Sequence, residues 1–182
     1  MRRVVLQMSM SLDGYVASDR AHPGTSVPED PELVRWKIDR VASAGAHLMG
    51  RVTYEEMAGF WPHSTAPYAA PMNDIPKVVF SKTLEQGSWS PTRIARGDLA
   101  AEIAALKDEP GPDVIAYGGA RFAAALAARG LIDEYCLLVQ PLAVGGGQAL
   151  FADLAAPVRL DLIEARNFDC GVVAQIYRPR NG

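Results

Sequence analysis

Cysteine and histidine are scarce, with two of the first and three of the second in 182 residues. Cys136 and Cys170 stand far apart in strand-like stretches. They make a disulfide framework or a paired-cysteine zinc motif a poor expectation, and point to buried thiols in a reducing cytoplasm. His47 has no second histidine at metal-ligand spacing, so no metal site is expected. No apolar run approaches the ~20 residues of a membrane span. Near the start, Gln7, Ser9 and Asp13 break the apolar run too early for a signal peptide. Dense Lys/Arg blocks are missing too, and a formal net charge of −3 argues against a nucleic-acid surface. Neither an internal repeat nor a low-complexity segment interrupts the chain. What is present is an ordinary globular balance, 49% hydrophobic and 21% charged. Its length suits one domain over residues 1–182 with a sizeable core.

The most informative stretch is DVIAYGGARFAAALAARGLIDEY, residues 113–135. Residues 114–117 have the length and β-branched content of a buried strand. Gly118 and Gly119 follow, and then an alanine-rich helix over 120–129 with Phe122 and Leu126 on one face. Gly130 supplies the stop, since glycine enters the left-handed conformation without a Cβ penalty. A strand, a tight Gly-Gly turn and a helix leave backbone N–H groups at a helix start, where the dipole favours an anion such as phosphate. Taken alone, the two glycines fit close helix–strand packing equally well.

Residues 4–10 read as a first strand, apolar on both faces and therefore central. SLDGYVA, residues 11–17, breaks it with the Asp13-Gly14 turn signal, and strand ends are where open α/β sheets place ligands. A polar loop follows over 18–28. Asp30-Pro31-Glu32 predicts a helix start, with Asp30 as N-cap, Pro31 first and Glu32 near the positive dipole end. Val34, Ile38 and Val41 form one stripe, Leu33 and Trp36 an adjoining one. After a short strand over 47–49, Gly50 ends the strand and Thr53 with Glu56 forms a capping-box pattern. Arg51 beside that helix start fits either a phosphate contact or a solvated arginine. Residues 59–76 read as a loop and residues 77–81 as a third strand, leading into Ser81 and Lys82. Residues 92–95 read as a short strand, and Asp98 caps a helix with Leu99, Ile103 and Leu106 on one face.

Beyond Leu131 the pattern changes. Residues 134–141, 159–168 and 172–178 read as strands, the last two joined by a tight turn at Asp169-Cys170-Gly171. PLAVGGGQALF, residues 141–151, lies between the first two. Early β-α alternation followed by antiparallel strands predicts an α/β fold: a mixed sheet, helices on both faces and an antiparallel C-terminal edge.

SLDGYVA, MGRVTYE, FSKTL, IAYGGARF and IDEYCLLVQPLAVGGGQALF occur in that order. Together they resemble the dihydrofolate reductase superfamily, and most closely the C-terminal reductase domain of bacterial riboflavin-biosynthesis enzymes, over nearly the whole chain. The resemblance implies an eight-stranded mixed sheet with NADPH across the C-terminal ends of its central strands. Gly50, Arg51 and Thr53 match a stretch that contacts cofactor phosphates. Ser81 and Lys82 match a segment near the adenosine 2′-phosphate, and Gly118, Gly119, Ala120, Arg121 and Phe122 match the pyrophosphate turn. Ser9 and Val16 fall where the nicotinamide is lined. Asp13 matches the aspartate of the leucine-aspartate-glycine motif, a catalytic candidate. Glu32, four residues before Trp36, resembles the carboxylate that serves the substrate, with Trp36 against the substrate ring. Glu32 also suits a helix dipole. The cytidine-deaminase zinc motif is missing, so the implied activity is that of a stand-alone NADPH-dependent reductase of a small heterocycle, in a homodimer. A nucleotide-binding regulatory protein and a flavin- or drug-binding module on the same fold are the alternatives.

Overall fold

The computed structural model describes residues 1–21, 23 and 30–180. In chain order, the first half runs β1 (Val4–Ser11), β2 (Tyr15–Ala17), α1 (Pro31–Ala42), β3 (Ala46–Gly50), α2 (Arg51–Phe60), α3 (Ala69–Asp74) and β4 (Lys77–Phe80). The second half runs β5 (Thr92–Ala95), α4 (Leu99–Asp108), β6 (Val114–Ala116), α5 (Ala120–Ala128), β7 (Glu134–Gln140), β8 (Gln148–Ala149), β9 (Leu160–Asn167) and β10 (Val173–Pro179).

The main sheet has eight strands in the order β5-β4-β3-β6-β1-β7-β10-β9. Strand β1 is central because both of its faces are apolar. Val4 and Leu6 point to one layer of core and Val5 to the other. It pairs in parallel with β6 and β7, and β3, β4 and β5 continue the parallel half. Strand β10 runs antiparallel to both β7 and β9. The expected mixed sheet with an antiparallel C-terminal edge is therefore present. On one face, Leu6, Leu48, Val78 and Val114 pack with Ile103 and Leu106 of α4 and Leu126 of α5. The other face carries α1, α2 and α3, where Met49 and Val79 meet Val41, Tyr54 and Met72. Each such buried side chain contributes about 1.5–3 kcal/mol relative to exposure.

Two helices are capped as expected. The Asp30 carboxylate accepts from the Glu32 and Leu33 amides, and that of Asp98 from the Ala100 and Ala101 amides. Several local expectations are corrected. Helix α2 begins at Arg51 with Gly50 as its N-cap and no side-chain cap, so Thr53 and Glu56 form no capping box. The helix thus starts three residues earlier than a Thr53 cap would place it, and the Thr53 hydroxyl turns inward to accept the Gly119 amide instead. The stretch 59–76 is more than a loop, since it completes α2 and forms α3. Helix α1 buries Leu33 and Val41 most deeply, so its core stripe lies closer to the Leu33/Trp36 face than the Val34/Ile38 spacing implied. Strands β2 and β8 form a separate two-stranded ribbon. Of the polar loop expected over 18–28, residues 22 and 24–28 lie outside the described residues.

The N-terminal end of the sheet is closed by ion pairs. Buried Glu134 accepts from Arg3, Arg40 and Arg178, and Lys107 meets Asp133 at 2.8 Å. The C-terminal end carries the loops.

Candidate functional site

Strands β3 and β6 are neighbours in parallel register, and each leads into a helix at its C-terminal end. Adjacent strands lie about 4.8 Å apart, so the starts of α2 and α5 come close together. Neither helix has a side-chain cap. This sets them apart from α1 and α4, whose first amides are taken by aspartates. Uncapped helix starts present N–H donors and positive dipole ends to an anion.

Thr53 connects the two helix starts. It is the third residue of α2, nearly buried, and its Oγ1 accepts the Gly119 N–H at 2.7 Å. The Gly119 donor, free on the sequence argument, is thus used internally, and the opening toward an anion falls to the first turns of the two helices. Gly119 has φ +22°, and a Cβ there would meet Thr53 Oγ1 at 3.0 Å. A Cβ on Gly118 would meet Met8 Cε at the same distance. Both glycines thus permit close approach of backbone to its surroundings. Gly50 faces the Phe122 side chain, so the two turns pack against each other.

Charged groups flank this opening. Arg51 is half exposed and donates to the Glu55 carboxylate at 2.8 Å, one turn along its own helix. Arg121 is exposed at the start of α5, and Ala120 is partly covered. Beyond β4, Ser81 Oγ accepts from the Thr83 and Leu84 amides and Lys82 is exposed. These two residues line a cleft of about 340 Å³ with Asp98, Phe122 and Arg129. Phe122 and Phe80 pack there with ring centroids 5.0 Å apart.

On the other side of β6, Ser9 is partly exposed near the end of β1, while Val16 is buried in the core. Asp13 is exposed and accepts from Val144 N at 3.1 Å and Gly145 N at 2.7 Å. The Ser11 hydroxyl, then the Gly145 and Val144 amides, hold its carboxyl down at about 2. Asp13 is therefore a permanent anion at neutral pH, and it fastens the glycine loop to the β1–β2 turn. Arg20 adds a bond to Val144 O at 3.1 Å. Gly147 lies against the Ala17 carbonyl, where a Cβ would not fit.

Glu32 and Trp36 stand on α1, over the antiparallel edge. Glu32 is paired with Arg166 of β9, and both are substantially exposed. Trp36 packs edge-on to Phe168 at 5.8 Å and lies under Arg40. With Arg35, Asp39 and Asp169, Glu32 and Trp36 line an open cleft of about 430 Å³. Strand β9 is four positions from β6, or about 19 Å at ordinary strand spacing. The structure thus gathers Gly50, Arg51, Thr53 and residues 118–122 at one place and sets Glu32 with Trp36 at another.

One polar residue at this end escaped the sequence reading. Gln140 ends β7 opposite Ser11, is only 3% exposed, and its Oε1 has no partner. Its signal was a glutamine closing the apolar run Tyr135–Val139 before a proline.

Among the described residues, no cluster of His, Cys, Asp and Glu is arranged to hold a metal ion. Among the same residues, no helix is long and apolar enough to cross a membrane.

A sheet of this order, with paired uncapped helix starts at β3 and β6, can be set beside known proteins. The model of the RibD C-terminal domain family matches residues 2–174. The chain belongs to that family. It is 26% identical to YyaP of Bacillus subtilis (strain 168) over 181 residues, which cover 97% of this chain and 94% of YyaP. Among solved structures, it is similar to a protein from Shewanella sp. PV-4 whose name assigns it provisionally to riboflavin biosynthesis. That likeness has a TM-score of 0.76, 22% identity, and coverage of 98% of this chain and 99% of the other. It is also similar to a diaminohydroxyphosphoribosylaminopyrimidine deaminase/5-amino-6-(5-phosphoribosylamino)uracil reductase from Thermotoga maritima, with a TM-score of 0.70 and 15% identity. There the match covers 98% of this chain and 57% of the other. The riboflavin-reductase-like fold expected from the motifs is the fold observed.

Proposed function

We propose that this member of the RibD C-terminal domain family is an NADPH-dependent reductase of a small heterocyclic substrate. The observation that carries the reading is the pair of uncapped helix starts at β3 and β6, joined through Thr53 and the Gly119 amide. The residues present suit a dinucleotide. A side chain at Gly118 or Gly119 would crowd Met8 or Thr53, and the first-turn amides of α2 and α5 suit its phosphates. Arg51, by exchanging Glu55 for a phosphate, would supply a forked contact. Ser81 and Lys82, at the mouth of the neighbouring cleft, suit the 2′-phosphate that distinguishes NADPH from NADH.

When bound, the cofactor supplies a hydride for a C=N or C=O bond; the protein orients the partners and manages the proton. Glu32, on exchanging Arg166 for the substrate, is the carboxylate proposed to orient it, with Trp36 against its ring. Asp13, held near pKa 2 by its hydrogen bonds, is unsuited to donate a proton at neutral pH. Its part is to hold the glycine loop against the β1–β2 turn. The proposal includes a homodimer formed through the β9 edge, where Leu162 and Ile163 are 56% and 50% exposed. An unpaired apolar edge of this kind favours association.

Titration with NADPH, followed by nicotinamide fluorescence, tests cofactor binding. A substrate screen by NADPH oxidation then separates a reductase from a regulatory protein that binds the same nucleotide without turnover.

A further inference from the structure

Gln140 is the last residue of β7, at the same end of the sheet as the two helix starts, and is 97% buried by its 3% exposure. Its Nε2 donates to Leu138 O at 3.3 Å and reaches Ser9 Oγ at 3.5 Å, the limit of a hydrogen bond. Its Oε1 is buried with no partner among the described residues. Turning the amide over does not solve this, because it would set an oxygen against the Leu138 carbonyl and leave the nitrogen unpartnered. A buried acceptor without a donor is costly, so such atoms are normally satisfied by protein, water or ligand. Ser9 is partly exposed, and its hydroxyl proton is free to donate while its oxygen receives Gln140 Nε2. A donor and an acceptor therefore stand side by side on neighbouring strands.

We infer that Ser9 and Gln140 form a recognition pair for an amide edge, a C=O beside an N–H. The serine hydroxyl donates to the ligand carbonyl, and the Gln140 oxygen accepts from the ligand N–H once the ligand seats against β1 and β7. This inference rests on the reductase reading, and that reading offers two sources of the same chemistry. One is the carboxamide of the nicotinamide ring; the other is a cyclic amide in a heterocyclic substrate. In either case the pair selects for the amide. A ligand with a methyl group in place of the N–H leaves the acceptor unsatisfied and loses about tenfold in affinity.

The test is calorimetric titration of wild type, Gln140→Leu and Ser9→Ala. One arm compares NADP⁺ with its 3-acetylpyridine analogue, in which a methyl group replaces the amide nitrogen. The other compares uracil with 1,3-dimethyluracil on the NADP⁺-loaded protein. The expected result is an approximately tenfold preference of wild type for the N–H ligand in one arm, which identifies the source, and loss of that preference in Gln140→Leu. Binding of 2′-phospho-ADP-ribose, which lacks the nicotinamide, should be unchanged and reports that the variant is folded. If Gln140→Leu fails that control, Ser9→Ala is read instead: about tenfold weaker binding of both ligands of the discriminating arm, with the N–H preference kept, supports the inference, and unchanged affinity overturns it. NADP⁺ binding without preference in either arm also overturns it, while leaving the reductase reading intact. A wild type that binds neither NADP⁺ nor the fragment defeats the reductase reading, and the inference with it.

Discussion

Thr53 Oγ1 accepts the Gly119 N–H at 2.7 Å across 66 positions of sequence, tying the first turn of one helix to the turn before another. Thr53→Val removes the acceptor while keeping the shape, and leaves a half-buried donor unpaired. The expected cost is about 1–3 kcal/mol of stability, measured by urea unfolding. NADPH affinity should fall about tenfold, while Thr53→Ser keeps most of both. Equal NADPH affinity in a folded Thr53→Val protein would separate this bond from the cofactor site.

Glu32 is paired with Arg166 at the exposed edge of the fold. Glu32→Gln should lower turnover by about 100-fold, as expected for a group that positions the substrate, with NADPH affinity nearly unchanged. Unchanged turnover would assign Glu32 to its ion pair and the helix dipole alone. The pair itself is too exposed to contribute more than about 1 kcal/mol.

Much of this architecture was legible in the chain. The caps at Asp30 and Asp98, the strand at Val114 and the stop at Gly130 depend on local chemistry, so spacing and residue type were enough to place them. The Thr53–Gly119 and Asp13–Gly145 contacts were not, because each joins residues far apart in sequence and follows from strand order. The capping-box expectation failed for the same reason: a distant amide competes for the threonine hydroxyl and wins. Gln140 was visible only as a polar strand end. Its orphaned oxygen appears only when β1 lies beside β7.

His47 predicts a pH dependence of stability. It is buried on β3, its Nε2 lies 3.1 Å from Pro71 O, and Lys77 is its register partner on β4. Burial, with the nearby Lys77 charge, pushes its pKa down to about 4 from 6.5. Between those values the unfolded chain binds the extra proton, so the contribution of neutral His47 is present above pH 6.5 and lost as pH falls toward 4. The loss is about 3 kcal/mol at most. Between pH 7 and pH 4.5 the unfolding free energy of wild type should fall by more than that of His47→Phe. An identical pH response in the two proteins would contradict this.

The β9 edge predicts assembly. Light scattering at micromolar concentration should return about twice the 19.6 kDa chain mass, and Ile163→Lys should shift the protein toward monomer. A wild-type monomer would remove the dimer from the account.

The central claim is tested most directly by calorimetric titration of NADPH into wild type and Gly119→Val, with Arg51→Ala as the companion. Gly119 has φ +22° and no room for a side chain beside Thr53, so valine should block backbone approach at the turn and abolish or severely weaken binding. Arg51→Ala should weaken it by about ten- to a hundred-fold, the range for charged hydrogen bonds. NADPH affinity unchanged from wild type in a folded Gly119→Val protein would contradict the account and leave the Gly-Gly turn a matter of packing alone.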